Sequence, residues 1–281
     1  MTMSERHFGV DLSTWQTGCD YRKAVKEGGV RFAILRAGYG KNAGTQKDNM
    51  FETHYAGFRE QGIPLGAYQL SYALSATDAK AEAKAMQTWI SGHRIDLPLF
   101  LDMEIEDQRA KGAKAVTKLA TTWLAAMQAA GYSEVGIYAN PAWFSTVLDV
   151  ETILDAGGKI WCASWGKTKP GYDGIICWQY GGETNKIRST AVPGLGDVID
   201  QDFWYGSLPG EQIDPNVQVC RATANIQTLD KYGNPESGRY IATGDICVLR
   251  LIGGPLVQVT YPTSSGSRTA YLKKINSFTQ D

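Results

Sequence analysis

The chain has 281 residues, of which 43% are hydrophobic and 20% charged, and its formal net charge is -1. This composition is typical of a folded globular protein and excludes both a disordered chain and one built mainly of membrane spans. The near-neutral charge, without a cluster of Lys and Arg, gives no electrostatic signal for binding nucleic acid.

Short apolar runs alternate with helical patterns from the N-terminus to about residue 205. Eight of these runs predict β-strands: His7–Ser13, Arg31–Tyr39, Pro64–Ala73, Leu97–Ile105, Glu134–Asn140, Lys159–Trp165, Gly174–Tyr180 and Asp197–Trp204. Several are continuously apolar rather than alternating, which is typical of a parallel sheet buried on both faces. The sequence therefore predicts an α/β fold, an irregular TIM-like (β/α) barrel.

Two segments between these strands have apolar residues at helical spacing, and they predict helices over Thr77–Ser91 and Ala113–Ala130. The later connections are too short for a full helix between every pair of strands. We therefore expect an irregular barrel in which some connections are loops.

The character of the sequence changes after Trp204. Residues 207–217 are rich in turn-forming residues and predict a linker between a barrel domain, residues 1–206, and a small all-β domain, residues 218–281. All eight tryptophans precede this linker. The runs that predict strands in the second domain are Cys220–Leu229, Gly238–Ile241, Asp245–Leu251, Leu256–Tyr261 and Thr269–Ile275.

The predicted fourth strand, Leu97–Ile105, carries two carboxylates two residues apart, Asp102 and Glu104. Side chains of a strand alternate between its faces, so both acids point to the same side, about 7 Å apart. Packing does not require such a pair, whereas like-charge crowding separates the pKa values of two acids, so that one is protonated while the other is ionised. The pair therefore indicates glycosidic-bond chemistry.

Other strand ends supply further acids, because residues that face substrate lie at the carboxyl ends of barrel strands. Asp11 comes from the first strand and Asp200 from the eighth, which barrel closure makes neighbours; Asp202 shares the face of Asp200. Arg36, at the end of the second strand, is a cation that could balance them. The predicted catalytic set is Glu104, Asp102, Asp11 and Asp200.

Aromatic residues occupy the same strand ends, and a flat apolar ring face suits the C–H face of a pyranose. About half of these rings are expected to pack in the barrel instead. The rings are Trp15, Tyr39, Tyr68, Tyr72, Tyr138, Trp165, Trp178 and Tyr180. The predicted substrate contacts are Tyr68, Tyr138, Arg36, Tyr39, Trp165, Trp178, Gln179 and Asp202.

Metal and cofactor chemistry are not predicted. The five cysteines are scattered and odd in number, and the three histidines have no zinc-ligand spacing. The first residues lack the apolar run of a signal peptide, so we expect synthesis in the cytoplasm and no insertion into a membrane.

Seven segments together resemble glycoside hydrolase family 25, the lysozymes (N-acetylmuramidases) of phage endolysins and bacterial autolysins. The segments, in order within residues 6–205, are Gly9–Gln16, Ile34–Gly40, Gly66–Tyr68, Leu101–Glu104, Gly136–Tyr138, Trp178–Tyr180 and Val198–Asp202. Two places depart from the family pattern: Gln69 stands where many members have a histidine, and Gln201 and Asp202 stand near the final aspartate where many have an asparagine.

The resemblance implies cleavage of the β-1,4 bond between N-acetylmuramic acid and N-acetylglucosamine in bacterial peptidoglycan. It implies that Glu104 is the general acid and that Asp102 orients the substrate's own 2-acetamido group. Asp11 and Asp200 match the other two acids of the family. A phage endolysin or an autolysin of this kind acts on the wall after release from the cytoplasm, and we take a monomer as the default state.

The C-terminal region more loosely resembles bacterial Src-homology-3-like wall-binding domains, through Gly238–Asp245 and the strands that follow it. Two rival functions stay open at this point. One is a catalytically silent glycan-binding or wall-binding protein, and the other is a chitin-type hydrolase of N-acetylglucosamine polymers.

Overall fold

A computed structural model describes residues 6–165, 169–182, 191–209, 217–263, 266–273 and 277–279. The first part of the chain alternates strands and helices. In chain order these are β1 (Arg6–Leu12), α1 (Tyr21–Lys26), β2 (Phe32–Tyr39), α2 (Phe51–Glu60), β3 (Leu65–Leu70), α3 (Ala76–Trp89), β4 (Leu99–Asp102), α4 (Glu106–Arg109), α5 (Ala113–Ala129), β5 (Val135–Ala139), α6 (Pro141–Thr146), α7 (Val150–Asp155), β6 (Gly158–Ala163), β7 (Ile175–Gly181) and β8 (Asp200–Tyr205).

Strands β1 to β8 form a closed barrel in sequence order, which confirms the predicted α/β barrel. Strands β1 to β7 pair in parallel, but β8 is antiparallel to both β7 and β1. The prediction of a parallel sheet is therefore wrong at β8 alone. A parallel β8 would need a crossover back to the base of the barrel, whereas the observed β8 starts at the mouth, where β7 ends.

Alternation along the strands divides the barrel's apolar residues into two layers. Inward-facing rings fill the lumen, among them Phe32, Phe100 and Trp161. The outer layer packs against the helices, with Trp89 on α3 and Trp123 on α5. Helix α3 begins at Ser75, whose hydroxyl accepts the Asp78 N–H at 3.1 Å, a common N-cap. No helix in the described part of the chain is both long and apolar enough to cross a membrane.

A separate seven-stranded antiparallel sheet follows the barrel and has its own core. Its strands are β9 (Val217–Ala222), β10 (Ile226–Leu229), β11 (Pro235–Ile241), β12 (Ile246–Leu251), β13 (Leu256–Thr263), β14 (Gly266–Lys273) and β15 (Phe278–Thr279), in the order β11-β10-β14-β13-β12-β9-β15. The single strand predicted over Cys220–Leu229 is wrong, since a turn separates β9 from β10. Asn225 stabilises this turn by accepting the Thr243 N–H at 2.9 Å.

The second sheet contacts the base of the barrel, the end at which the parallel strands begin. Arg250 donates to the backbone carbonyl of Lys26 at the end of α1. Val248 packs against Gly29, where an added Cβ would lie 2.6 Å from a valine methyl and where φ is +74°. A side chain at Gly29 would therefore disturb both the turn and this contact.

Candidate active site

The four predicted acids converge at the mouth of the barrel. Asp11 lies opposite Asp200 in the β1–β8 ladder, so the reversal of β8 brings the first residue of that strand to the mouth. Burial raises the pKa of Tyr138, near the end of β5, and four negative charges raise it further. These charges are those of Asp102, Glu104, Asp11 and Asp200. A single side chain within electrostatic range of all four carboxyls places them around one site.

Asp102 and Glu104 differ in exposure. Strand β4 ends at Asp102, not at Ile105 as the sequence predicted, because Ile105 becomes the N-cap of α4. Asp102 is buried, whereas Glu104 lies beyond the strand and is exposed at the mouth. The two acids therefore occupy unequal environments, the arrangement that gives neighbouring carboxyls different protonation states.

Burial, the charge of Glu104 and the charge of Asp11 together raise the pKa of Asp102 well above its ordinary value, and Arg36 partly opposes them. Although Glu104 is exposed as a residue, the surrounding protein desolvates its carboxyl enough to raise the pKa. Oδ1 of Asp102 is buried and receives no hydrogen bond from the described residues. A buried acceptor without a protein donor is costly unless it serves a ligand or a proton.

Asp11 forms a second pair with Asp202, which lies deeper in the lumen, opposite Gly9 of β1. Asp202 is fully buried, with Oδ1 accepting the indole N–H of Trp161 at 2.8 Å. Burial is the largest cause of a pKa of about 7 for Asp202, and burial together with the charge of Asp202 raises the pKa of Asp11 well above its ordinary value. Oδ2 of Asp202 is buried without a hydrogen-bond partner among the described residues, and two buried carboxyls whose pKa values are both raised in this way favour holding one proton between them.

Gln179 connects this pair to the wall of the site. Its Nε2 donates to Asp11 at 2.8 Å, and its Oε1 accepts from the hydroxyl of Tyr138 and the indole N–H of Trp165, both at 3.0 Å. Gln179 is itself buried. It was predicted as a substrate contact, and in the structure it fixes the positions of an acid and two aromatic rings.

Arg36 is held by a residue that the sequence analysis did not identify. Its Nε donates to Oδ2 of Asp48 at 2.6 Å, and the Asp48 side chain has no exposed surface. The same carboxylate accepts the backbone N–H groups of Thr14 and Met50. Asp48 therefore fixes Arg36 beside the acids and ties the loop after β1 to the start of α2.

The predicted aromatic contacts divide between the mouth and the packing layers. Tyr68 and Tyr138 flank the lumen ring of Trp161 in edge-on contacts, and Trp165 reaches the mouth through Gln179. Trp178, by contrast, lies in the outer layer with Tyr180 and Phe203, and it faces away from the lumen. Trp15 is 81% exposed just after β1, and Tyr39 makes an edge-on contact with Tyr72.

Glu82 on α3 belongs to a buried polar network that the sequence analysis also missed. It is 1% exposed, and its carboxylate accepts the Ser71 hydroxyl and the Tyr72 N–H, both at 2.7 Å. The Ser71 N–H donates to the backbone carbonyl of Asp102 at 3.0 Å. The available signal was a glutamate on the apolar face of a helix, in line with Ala79.

Gln69, the first departure from the family pattern, lies in the same network. Its Nε2 donates to the carbonyls of Gly40 and Glu82, at 2.8 and 2.9 Å, and its Oε1 accepts the indole N–H of Trp123. Gln69 is fully buried, so it supports the mouth from behind. Among the residues with described positions, no group of three or more His, Cys, Asp or Glu is arranged to hold a metal ion.

The chain is similar to known proteins over this barrel. The model of the family described as Glycosyl hydrolases family 25 matches residues 10–188. The modular autolysin LytC of Streptococcus pneumoniae, solved with a synthetic peptidoglycan ligand, is 22% identical with a TM-score of 0.60, and the match covers 72% of this chain and 47% of LytC. The chain thus spans about half the length of that relative.

For two further solved structures, the match covers nearly the whole length of the known protein. The bacterial lysozyme of Streptomyces coelicolor is 25% identical with a TM-score of 0.58, covering 72% of this chain and 93% of the lysozyme. The spore cortex lytic enzyme SleM of Clostridium perfringens is 16% identical with a TM-score of 0.58, covering 98% of this chain and 99% of SleM. The likeness to SleM therefore extends across both the barrel and the second sheet. No curated protein matches the chain significantly.

Proposed function

Because the chain belongs to glycosyl hydrolases family 25, we propose that it is a muramidase, cleaving the β-1,4 bond between N-acetylmuramic acid and N-acetylglucosamine in peptidoglycan. The observation that carries this proposal is the unequal acid pair at the end of β4. Glu104 is exposed at the mouth with a raised pKa, and Asp102 is buried beside it with one oxygen that has no described protein donor.

In the proposed reaction, Glu104 gives its proton to the glycosidic oxygen as the bond from that oxygen to the sugar carbon breaks. The carbonyl oxygen of the substrate's 2-acetamido group attacks the same carbon and forms an oxazolinium-like intermediate. Asp102 accepts the acetamido N–H, which orients the group and stabilises its positive charge. Water then opens the intermediate, with Glu104 as base, and the configuration is retained.

The remaining acids support this pair. We assign to Asp11 and Asp200 the placement of the sugar and of the attacking water. Asp202 acts through Asp11, because it is too deeply buried to reach a ligand at the mouth. Arg36 limits the rise in the pKa of Asp102, which keeps that carboxyl ionised over a wider range of pH.

The test uses Glu104→Gln with Glu106→Gln as the matched control. Glu106 lies two residues further along, and its side chain is 76% exposed in an ion pair with Arg109. Loss of the general acid lowers the release of reducing ends from purified walls by at least about a hundredfold, while the control retains wild-type activity. Pelleting with walls measures binding separately, and unchanged lysis by Glu104→Gln contradicts the mechanism.

The products distinguish the rival functions. Mass spectrometry of wall digests by the wild-type protein is expected to find N-acetylmuramic acid at the new reducing ends. N-acetylglucosamine at those ends would indicate a glucosaminidase or chitin-type enzyme instead. Wall binding without any new ends would indicate a silent binding protein.

We also propose that the second sheet binds the wall and that the protein acts in cell-wall lysis, in the manner of an endolysin. A binding module joined to an enzyme raises the effective concentration of the enzyme at an insoluble polymer. The relation of this sheet to Src-homology-3-like domains stays a prediction.

A further inference from the structure

A pocket of about 370 Å³ opens beside the mouth, outside the ends of β2 and β3. We call it the β2–β3 pocket. One wall is the loop that follows β2, with Lys41, Asn42 and Gln46, and the opposite wall is Tyr72 and the first turn of α3 with Asp78. Glu82 lies at its base. The mechanism proposed above uses none of these six side chains.

The pocket is rigidly built. Gln69 ties the Gly40 carbonyl on one wall to the Glu82 carbonyl on the other, and Glu82 in turn accepts the Tyr72 N–H. The Tyr72 ring makes an edge-on contact with Tyr39, with centroids 6.3 Å apart and an interplanar angle of 87°. A pocket whose walls are fixed before binding loses little entropy when a ligand enters.

The chemistry of the walls is neutral and polar, with one aromatic face. Lys41 and Asp78 form an ion pair, so their charges offset each other. The side-chain carbonyls of Asn42 and Gln46 accept backbone N–H groups within the loop, and neither NH₂ group has an acceptor among the described residues. Tyr72 is 46% exposed. Amide donors beside an aromatic face suit the hydroxyls and the apolar face of a sugar ring.

The volume and the position limit what part of a substrate could enter. The pocket is at the small end of the range for ligand sites, which is about 300–1,000 Å³, and this suits one ring better than a longer segment. Strand β2 lies two strand spacings from β4, roughly 10 Å. A ring bound here is therefore not one of the two that flank the bond at Glu104.

We propose that the β2–β3 pocket is an accessory subsite that binds one N-acetylhexosamine ring of the glycan strand, with that ring stacked on Tyr72. The inference rests on the proposed function, since it needs a glycan that extends away from the cleaved bond. It accounts for an exposed tyrosine that is held in place by Tyr39 and by the Glu82 network.

The test compares peptide-free glycan tetra-, hexa- and octasaccharides as substrates for wild-type protein, Tyr72→Ala and Asn42→Ala. The readout is the ratio of kcat/KM for the longest substrate to that for the shortest. Loss of ring stacking is expected to lower this ratio by about fivefold to tenfold in Tyr72→Ala, and loss of one amide donor by about threefold in Asn42→Ala. Tyr132→Ala, at a half-buried tyrosine between α5 and β5 at the base of the barrel, is the control with an unchanged ratio.

An unchanged ratio in both pocket variants overturns the subsite alone. The same comparison is repeated with peptide-bearing fragments of equal length, and a fall that appears only with these also overturns the subsite, because the pocket then binds the stem peptide. Wild-type protein that cleaves none of the oligosaccharides refutes the proposed function, and the subsite with it. Asn42 is exposed in a loop, so its variant keeps the test valid if Tyr72→Ala does not fold.

Discussion

Replacing Glu82 with glutamine tests whether ionisation of this buried carboxyl destabilises the folded protein. Burial is the largest cause of the raised pKa of Glu82, about 7 against an ordinary value of 4.5, although hydrogen bonds from Ser71 and Tyr72 partly offset it. The folded protein therefore holds this proton at a pH where the unfolded chain has released it. Glutamine imitates the protonated acid, with one acceptor and one donor group in the same positions.

The direction and the size of the effect follow from linkage. Below pH 4.5 Glu82 is protonated in both the folded and the unfolded chain, so its ionisation does not lower the free energy of unfolding. As the pH rises through the folded pKa of about 7, the wild-type protein loses stability because ionisation favours the unfolded chain. A pKa difference of this size corresponds to about 3 kcal/mol. Glu82→Gln is thus expected to match the wild type near pH 4.5 and to exceed it by about 3 kcal/mol above pH 7.

The assay is urea unfolding at several values of pH, followed by tryptophan fluorescence. All eight tryptophans lie in the barrel, so the signal reports on that part of the chain. Asp11, Asp102 and Asp202 add their own pH dependence, and for this reason the difference between variant and wild type is the quantity measured. Glu106→Gln controls for a change of net charge. Parallel curves for Glu82→Gln and the wild type would refute the reasoning.

Two further predictions concern the lumen and the second sheet. Asp202→Asn keeps the acceptor for the Trp161 indole but removes a charge that raises the pKa of Asp11. The acid limb of the pH profile of kcat/KM should therefore move to lower pH. An acid limb that does not move argues against coupling between Asp11 and Asp202. A chain ending at residue 209 should cleave soluble glycan fragments as the full chain does. It should lyse intact cells less well, as measured by turbidity. Equal lysis of intact cells would mean that the second sheet does not target the wall.

Strand periodicity was enough to predict the barrel and most of its acids. Asp11 and Asp102 each lie at the end of an apolar run, and such ends meet at the mouth in any parallel barrel. The direction of β8 could not be predicted from the sequence, because a continuous apolar run has the same pattern in a parallel and in an antiparallel strand. Asp200 was identified at the end of a strand, and in the structure it is the first residue of that strand.

The supporting residues were harder to predict, because their roles depend on partners far away in sequence. Asp48 has no motif of its own, and only folding brings it to Arg36. Trp178 and Gln179 illustrate a signal that was present: adjacent residues in a strand point to opposite faces, so the two could not both face a ligand. The structure turns Gln179 inward and Trp178 outward.

The reversed direction of β8 also decides where the chain leaves the barrel. A parallel eighth strand would end at the mouth, and anything joined to it would crowd the opening through which a polymer must enter. Because β8 runs the other way, it ends at Tyr205 beside Arg6, the first residue of β1, and the second sheet contacts α1 at that same end. The reversal of β8 thus places the appended domain at the base of the barrel, where its size and its binding partner do not obstruct the opening at the mouth.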